Sequence, residues 1–228
     1  MTQAAVPEIV PHAMPTAAEL PRNTAGWVLD PDRTVLLIHD MQRFFVEKLP
    51  AFRSPRTELV RNTVALREAA VHAGVPVLYT AQPGGMSPDE RGLLADFWGP
   101  GMSTDPEDRA VVDELVPDEG DTVLTKWRAS AYHGGELLRL LRASGRDQMV
   151  LCGIYAHVGV LLTASDGFAH GVQTFVAGDA TADFSRGHHR LALSYMAARC
   201  AMVLPTGGLV AALDGSRVAD AEPAGARS

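Results

Sequence analysis

The sequence predicts an α/β fold: a single three-layer αβα domain built on a six-stranded, mainly parallel β-sheet. Two observations lead to this prediction. Short apolar runs alternate along the chain with helical patterns, which is typical of successive βαβ units. The first run, 33–39, is apolar at every position rather than at every second one, which is typical of a parallel strand buried on both faces. Together they indicate a Rossmann-like arrangement.

Six strands are predicted, and they set the order of the elements: 33–39, 75–80, 122–126, 148–155, 173–177 and 201–204. The first helix is indicated by Ser54 and Pro55 as its cap and first turn and by Gly74 as its stop signal. Four further helices are predicted over 105–115, 136–143, 158–169 and 188–200. Around this core we expect an N-terminal extension over 1–30, a folded domain over 31–210 and a flexible C-terminal tail over 211–228.

Composition and charge exclude several classes of protein. The formal net charge of -7 argues against general binding to nucleic acid or to an anionic membrane. No apolar run reaches the roughly 18–20 residues needed to cross a bilayer. The first 19 residues carry acidic side chains and prolines where a signal peptide would be basic and then apolar. We therefore expect a cytoplasmic protein.

The residues that follow the predicted strands are the first candidates for function. In an open parallel sheet, ligands bind beyond the carboxyl ends of the strands. Asp40, Gln82, Lys126 and Tyr155 stand at those ends. The long connection 82–104 is a second indication, because connections of this length in a compact domain tend to be functional.

Position alone leaves the chemistry of these residues open. Asp40 could form an acid/base pair with Lys126, or it could cap the next turn while Lys126 lies in a solvated loop. The sequence has no glycine-rich phosphate loop, no nucleophile elbow and no zinc-binding helix motif. Cys152 and Cys200 fit apolar packing better than nucleophilic roles. Neither a cofactor nor a metal ion is therefore expected.

Several blocks of the sequence, taken in order, resemble the motifs of the isochorismatase family. They are 39–45 (HDMQRFF), 81–83 (AQP) with 91–94 (RGLL) and 97–101 (FWGPG), 125–131 (TKWRASA), 153–159 (GIYAHVG) and 179–185 (DATADFS). The resemblance spans nearly all of the predicted domain, so 31–210 is expected to be an isochorismatase-like hydrolase domain. It also implies a homodimer and a cis peptide bond between Ile154 and Tyr155.

One position separates two branches of the superfamily that the chain resembles. Its cysteine hydrolases use an Asp, a Lys and a Cys, and the Cys lies six residues after the glycine of the 153–159 block. That position is Gly159 here. The resemblance therefore implies the branch that cleaves vinyl ethers without a covalent intermediate.

Within that branch, the substrate implied is 2-amino-2-deoxyisochorismate, as in phenazine biosynthesis. Siderophore isochorismatases often carry Cys where this chain has Val160, and many have a fused carrier-protein domain. The alternatives are isochorismate as the substrate of the same chemistry, or a non-catalytic interaction protein.

The resemblance also implies a role for each candidate residue. Asp40 would be the general acid, with a pKa raised by burial and by the substrate's two carboxylates. Lys126 would pair with a carboxylate or the ether oxygen of the substrate. The remaining roles are carboxylate binding by Arg91, Gln82, Tyr155 and the backbone of Gly159, and apolar walls formed by Phe44, Phe45 and Trp98. Two alternatives stay open: Arg91 on a solvated helix face, and Trp98 as a core residue.

Overall fold

The computed structural model describes residue 7 and residues 9–215. Its sheet contains six strands: β1 Thr34–His39, β2 Val77–Ala81, β3 Thr122–Thr125, β4 Gln148–Ile154, β5 Gln173–Ala182 and β6 Met202–Leu204. They are ordered β3-β2-β1-β4-β5-β6, and every pair of neighbours is parallel. The predicted α/β class, six-stranded sheet and strand order along the chain are confirmed.

The helices are α1 Arg43–Val46, α2 Arg56–His72, α3 Pro88–Arg91, α4 Leu94–Trp98, α5 Pro106–Arg109, α6 Glu136–Ala143, α7 Leu161–Ala169, α8 Arg186–Arg199 and α9 Thr206–Leu213. A π-helical turn, Ala156–Val160, precedes α7, and 3₁₀ turns occupy Ala17–Glu19, Pro31–Arg33 and Asp113–Leu115. Among the described residues, no helix is both long and apolar enough to cross a membrane.

Two apolar layers hold the helices to the sheet. Alternate residues of a strand point to opposite faces, so Leu36 and Ile38 of β1 pack with α2 and α9, while Leu37 packs with α6, α7 and α8. These side chains have no exposed surface. The central strands are therefore buried on both faces, as the uninterrupted apolar run of β1 predicted.

The N-terminal segment covers one edge of the sheet. The side-chain amide of Asn23 donates to the carbonyl of Val203 at 2.9 Å and accepts from its N–H at 2.7 Å. Ile9 and Met14 are buried against the core. Pairing of β6 with this segment satisfies backbone groups that an edge strand would otherwise expose.

Several predicted boundaries are wrong. The helix predicted over 105–115 is two separate turns, because the chain leaves α5 at Ala110 and Gln42 forms an isolated bridge with Val111. The tail predicted from residue 211 begins too early. Helix α9 continues to Leu213, which is buried with Leu209 against the core although Gly207 and Gly208 disfavour a helix. Residues 216–228 of the predicted tail lie outside the described residues.

Candidate active site

The carboxyl ends of four neighbouring strands bring the candidate residues together. Asp40 follows β1 directly, Gln82 follows β2, Lys126 follows β3 and Tyr155 follows β4. Because all four strands run in the same direction, these residues reach the same edge of the sheet. The peptide bond between Ile154 and Tyr155 is cis, as the resemblance implied.

Asp40 is buried and held by partners at the ends of β2 and β3. Its backbone has a φ of 51°, in the left-handed region that few residues other than glycine adopt. The Lys126 ammonium donates to Oδ2 at 2.9 Å, and the Thr80 hydroxyl donates to Oδ1 at 2.6 Å. The amide of Gln82 lies 3.4 Å from Oδ2. Both carboxylate oxygens therefore accept hydrogen bonds.

These partners decide the charge of Asp40. Burial by itself would raise the pKa of the carboxyl, but the adjacent Lys126 ammonium and the hydrogen bond from Thr80 help to hold the pKa below its ordinary value. Asp40 is thus ionised at neutral pH in the substrate-free protein. In the free protein Lys126 pairs with Asp40 itself, so the raised pKa expected from burial and from the substrate's two carboxylates stays a prediction for the complex.

The Lys126 side chain is engaged on all sides. Besides Asp40, its Nζ donates to the carbonyl of Arg128 at 2.9 Å and lies 3.4 Å from the carbonyl of Ala129. An ammonium has three hydrogens, and three acceptors surround this one. A direct bond from Lys126 to a substrate oxygen, as expected from the sequence, would require one of these contacts to open.

A cavity of about 250 Å³ opens beside this ion pair. Its walls are mainly aromatic and aliphatic, and Gln82, Arg91, Lys126 and the exposed Lys48 supply its polar groups. Asp40 is not among the lining side chains; it lies behind two that are, Lys126 and Gln82. The apolar and glycine lining comes from Phe44, Phe45, Leu94, Trp98, Pro100, Gly101, Ala129, Tyr155, Val158, Gly159 and Phe184.

Arg91 is a buried cation that faces the cavity. It is 6% exposed, so it does not lie on a solvated helix face. Its Nε donates to the carbonyl of Gly99 at 3.0 Å, and one Nη lies 3.3 Å from Oε1 of Gln82. Burial lowers the pKa of this guanidinium, but arginine stays protonated in proteins. No carboxylate of the described residues lies within 4.0 Å of it. The charge of Arg91 is thus available to an anionic ligand.

One expected contact differs in the structure. The Tyr155 hydroxyl donates its hydrogen to the carbonyl of Phe45 at 2.7 Å, so it does not offer that hydrogen to a carboxylate. Gly159 lines the cavity, and His39 fills the space that a side chain at this position would need. A Cβ added at Gly159 would lie 2.2 Å from Cε1 of the imidazole.

His39 is held in one orientation by its own hydrogen bonds. Its Nδ1 lies 2.9 Å from the carbonyl of Ile154 and must therefore carry the hydrogen, while Nε2 lies 3.3 Å from the Thr163 hydroxyl. Burial lowers the pKa of His39 to about 4, so the imidazole is neutral at pH 7.

Sequence reasoning missed residues that position the site. The Gln42 side chain accepts from the N–H of Gln82 at 2.8 Å and donates to its carbonyl at 3.0 Å, which holds the end of β2. Thr80 was part of a predicted strand. Its hydroxyl donates to Oδ1 of Asp40, which follows the neighbouring strand, and the sequence gives no sign of this contact. Both residues lie within two positions of a predicted site residue, which is the one signal that could have marked them.

The cysteines and possible metal ligands lie apart from this chemistry. Cys152 is fully buried in β4, and burial raises the pKa of its thiol to about 12. The residues that line the cavity in the described structure include no cysteine, serine or threonine. Over residues 7 and 9–215, no group of three or more His, Cys, Asp or Glu side chains is arranged to hold a metal ion.

Comparison with known proteins gives consistent matches. A family model described as an isochorismatase domain matches residues 34–207. The phenazine biosynthesis protein PhzD of Pseudomonas fluorescens is 54% identical over 205 residues, which cover 90% of this chain and 98% of that protein. The isochorismatase of Bacillus subtilis is 50% identical over 206 residues, covering 90% of this chain and 66% of that protein.

A solved structure supports the same fold. A cysteine hydrolase from Pseudomonas syringae pv. phaseolicola superposes with a TM-score of 0.77 at 24% sequence identity, covering 86% of this chain and 98% of that one. At this identity the likeness concerns the fold alone. The αβα architecture is therefore shared with this cysteine hydrolase.

Proposed function

The chain belongs to the isochorismatase family of hydrolases, and from that premise we propose that it hydrolyses the enolpyruvyl ether of 2-amino-2-deoxyisochorismate. The products are pyruvate and trans-2,3-dihydro-3-hydroxyanthranilate. The observation that carries the proposal is the position of two groups: Asp40, a carboxyl group that contacts the lining residues Lys126 and Gln82 from behind the cavity wall, and Arg91, a buried cation in that wall with no acidic partner among the described residues. The first group can protonate a vinyl ether, and the second can bind a carboxylate of an anionic substrate.

The reaction needs an acid and a water molecule, and no protein nucleophile. A proton is added to the terminal methylene carbon of the enolpyruvyl group, which leaves an oxocarbenium ion. Water adds to the cationic carbon and loses a proton, giving a hemiketal. Collapse of the hemiketal breaks the bond to the ring oxygen, which takes up a proton, and releases pyruvate. The glycine at position 159 and the absence of cysteine, serine and threonine from the described lining agree with this scheme.

Asp40 is the proposed acid, and substrate binding is the proposed cause of its protonation. In the free protein, Lys126 and Thr80 favour the carboxylate. A bound dianion excludes water and neutralises the cations of the cavity. A carboxylate about 6 Å away, at an effective dielectric constant of about 20, adds about 3 kcal/mol of repulsion, or about two pKa units. By itself this repulsion leaves Asp40 mostly ionised at pH 7, because the starting pKa lies below its ordinary value; in this proposal the second carboxylate of the substrate and the exclusion of water raise the pKa further.

Lys126 and Arg91 have separate proposed roles. Lys126 holds the Asp40 carboxyl in place and stabilises the carboxylate that forms once the proton has left. Arg91 binds a substrate carboxylate, with Gln82 beside it. Phe44, Phe45 and Trp98 supply the apolar walls that exclude water. In this proposal the protein works without cofactor or metal, as a homodimer in the cytoplasm.

Isochorismate is the second candidate substrate. It differs from the first at one ring position, a hydroxyl in place of an amino group, and the isochorismatase of Bacillus subtilis is 50% identical to this chain. The same acid and the same Arg91 contact serve either molecule. Membership in a hydrolase family and the intact Asp40–Lys126 pair argue against the third alternative, a non-catalytic interaction protein.

Pyruvate release tests the proposal. Wild type and Asp40→Ala are each given the aminated substrate and isochorismate at equal concentrations. We expect faster turnover of the aminated substrate and a loss of about 10²–10⁴-fold in the variant. Faster turnover of isochorismate would assign the second substrate and leave the mechanism standing. No pyruvate from either would refute the proposed function.

A further inference from the structure

The cationic side chains of the cavity divide into one that is neutralised and two that are not. Lys48, Arg91 and Lys126 line it. The Lys126 ammonium lies 2.9 Å from Oδ2 of Asp40, so these two charges balance each other. No carboxylate of the described residues lies within 4.0 Å of Lys48 or Arg91. The cavity therefore presents two uncompensated positive charges.

The two free charges lie at different depths. Arg91 is buried, whereas Lys48 is exposed and follows the end of α1. The Nζ of Lys48 lies 5.2 Å from the centroid of the Phe44 ring, within the range of a cation–π contact, and Phe44 itself lines the cavity. This contact holds the ammonium against the cavity wall.

Arg43, at the start of α1, differs from Lys48 in how its positive charge is balanced. Arg43 pairs with Asp113 at 2.6 Å and with Glu107, so its charge is already matched by carboxylates of the protein. Lys48, near the other end of the same short helix, has no such partner among the described residues and is directed to the cavity instead. It is one of only two lysines in the chain, and the other is Lys126.

We propose that Lys48 binds the second carboxylate of a dicarboxylate ligand at the cavity mouth, while Arg91 binds the first carboxylate inside. The inference rests on the proposed function, which requires a dianionic substrate. Two separated cations favour a dicarboxylate over a monocarboxylate, because the latter leaves one charge unpaired. A lysine suits the mouth, since its flexible stem lets a compact charge follow the ligand as it enters.

Steady-state kinetics of pyruvate release with Lys48→Gln and Lys48→Arg test the role. We expect Lys48→Gln to raise KM about fivefold, the upper range for an exposed ion pair, with little change in kcat. Lys48→Arg keeps the charge and should restore most of the affinity. Arg53→Gln is the matched control, because it removes one exposed positive charge that does not line the cavity. A KM for Lys48→Gln equal to that of this control would overturn the proposal.

Equilibrium binding separates this proposal from the proposed function. The probes are chorismate, which carries two carboxylates, and benzoate, which carries one. We expect Lys48→Gln to weaken chorismate binding about fivefold and to leave benzoate binding unchanged, and added salt to weaken chorismate binding less in the variant than in the wild type. This result without any pyruvate release would support Lys48 and refute the proposed function. Pyruvate release by the wild type, together with unchanged chorismate binding in Lys48→Gln, would support the proposed function and refute the role of Lys48.

Discussion

The imidazole of His39 fills the space that a side chain at Gly159 would need. An added Cβ would lie 2.2 Å from Cε1 and 2.9 Å from Nε2 of the ring. Both atoms belong to a ring fixed by the carbonyl of Ile154 and the hydroxyl of Thr163. A thiol at position 159 would therefore have to displace His39, so restoring a nucleophile there needs more than one substitution.

This contact predicts a stability coupling between the two positions. We expect Gly159→Ala to lower the free energy of unfolding by about 1–3 kcal/mol, the usual cost of overpacking. In a His39→Ala background the same change should cost much less, because the ring is gone. Urea denaturation of the two single variants and the double variant gives the coupling. Strictly additive costs would contradict the contact.

A second prediction concerns the pH dependence of turnover. The low pKa of Asp40 in the free protein means that the protonated acid becomes scarcer as pH rises, so kcat/KM should fall with rising pH. In the complex the substrate raises this pKa, so kcat should stay level to a higher pH before it falls. Initial rates above pH 5, where substrate carboxylates are ionised, measure both profiles. If kcat and kcat/KM fell over the same pH range, the result would argue against protonation of Asp40 on substrate binding.

Replacement of Lys126 by arginine should damage turnover although the charge is kept. Three acceptors surround Nζ in a site that is 4% exposed, and a planar guanidinium is too large to place one nitrogen there. We expect Lys126→Arg to lower kcat at least about tenfold, within the range that acid catalysis contributes. Thermal unfolding of the variant serves as the control for folding. Full turnover in a folded variant would remove Lys126 from the proposed mechanism.

Arg91 can be tested directly and through its neighbour Gly101. A Cβ at Gly101 would lie 2.8 Å from Cζ of Arg91, so Gly101→Ala should displace the guanidinium. We expect Arg91→Ala to raise KM about 10–100-fold, the value of a charge-assisted hydrogen bond, and Gly101→Ala to raise it in the same direction. Gly134→Ala is the matched control, because Gly134 has a similar φ of 83° and an added Cβ there meets nothing within 4 Å. An unchanged KM in Arg91→Ala would exclude it from substrate binding.

Acid should weaken the fold through its buried histidines. Burial lowers the pKa of His39 and of His189 to about 4 each. Between about pH 6.5 and 4 the unfolded chain binds protons at these sites and the folded chain does not, so stability is full above that range and falls with falling pH. Each histidine contributes on the order of 3 kcal/mol. Urea denaturation at pH 7 and at pH 4.5 measures the decrease in the free energy of unfolding. This decrease should be smaller in His189→Gln, which lacks one of the two histidines. Equal stability at both pH values in the wild type would refute this account.

The amino-acid sequence determined the architecture and the place of the site. The uninterrupted apolar run of β1 predicted a doubly buried strand, and parallel strands carry their carboxyl ends to one edge, so Asp40, Gln82, Lys126 and Tyr155 could be selected by position. Helix α9 escaped this reasoning, because two glycines disfavour a helix locally and burial of Leu209 and Leu213 against the core overrides them.

Only the tertiary structure decided the chemical state of that site. The ionisation of Asp40 depends on an ammonium 2.9 Å away that comes from a different strand, and the hydrogen of the Tyr155 hydroxyl is taken by the carbonyl of Phe45. The space beside Gly159 belongs to His39, a residue far away in the sequence. Periodicity reports which face of an element is buried. The pKa of a carboxyl, the direction of a hydrogen bond and the filling of a gap depend on distances between atoms that folding alone brings together.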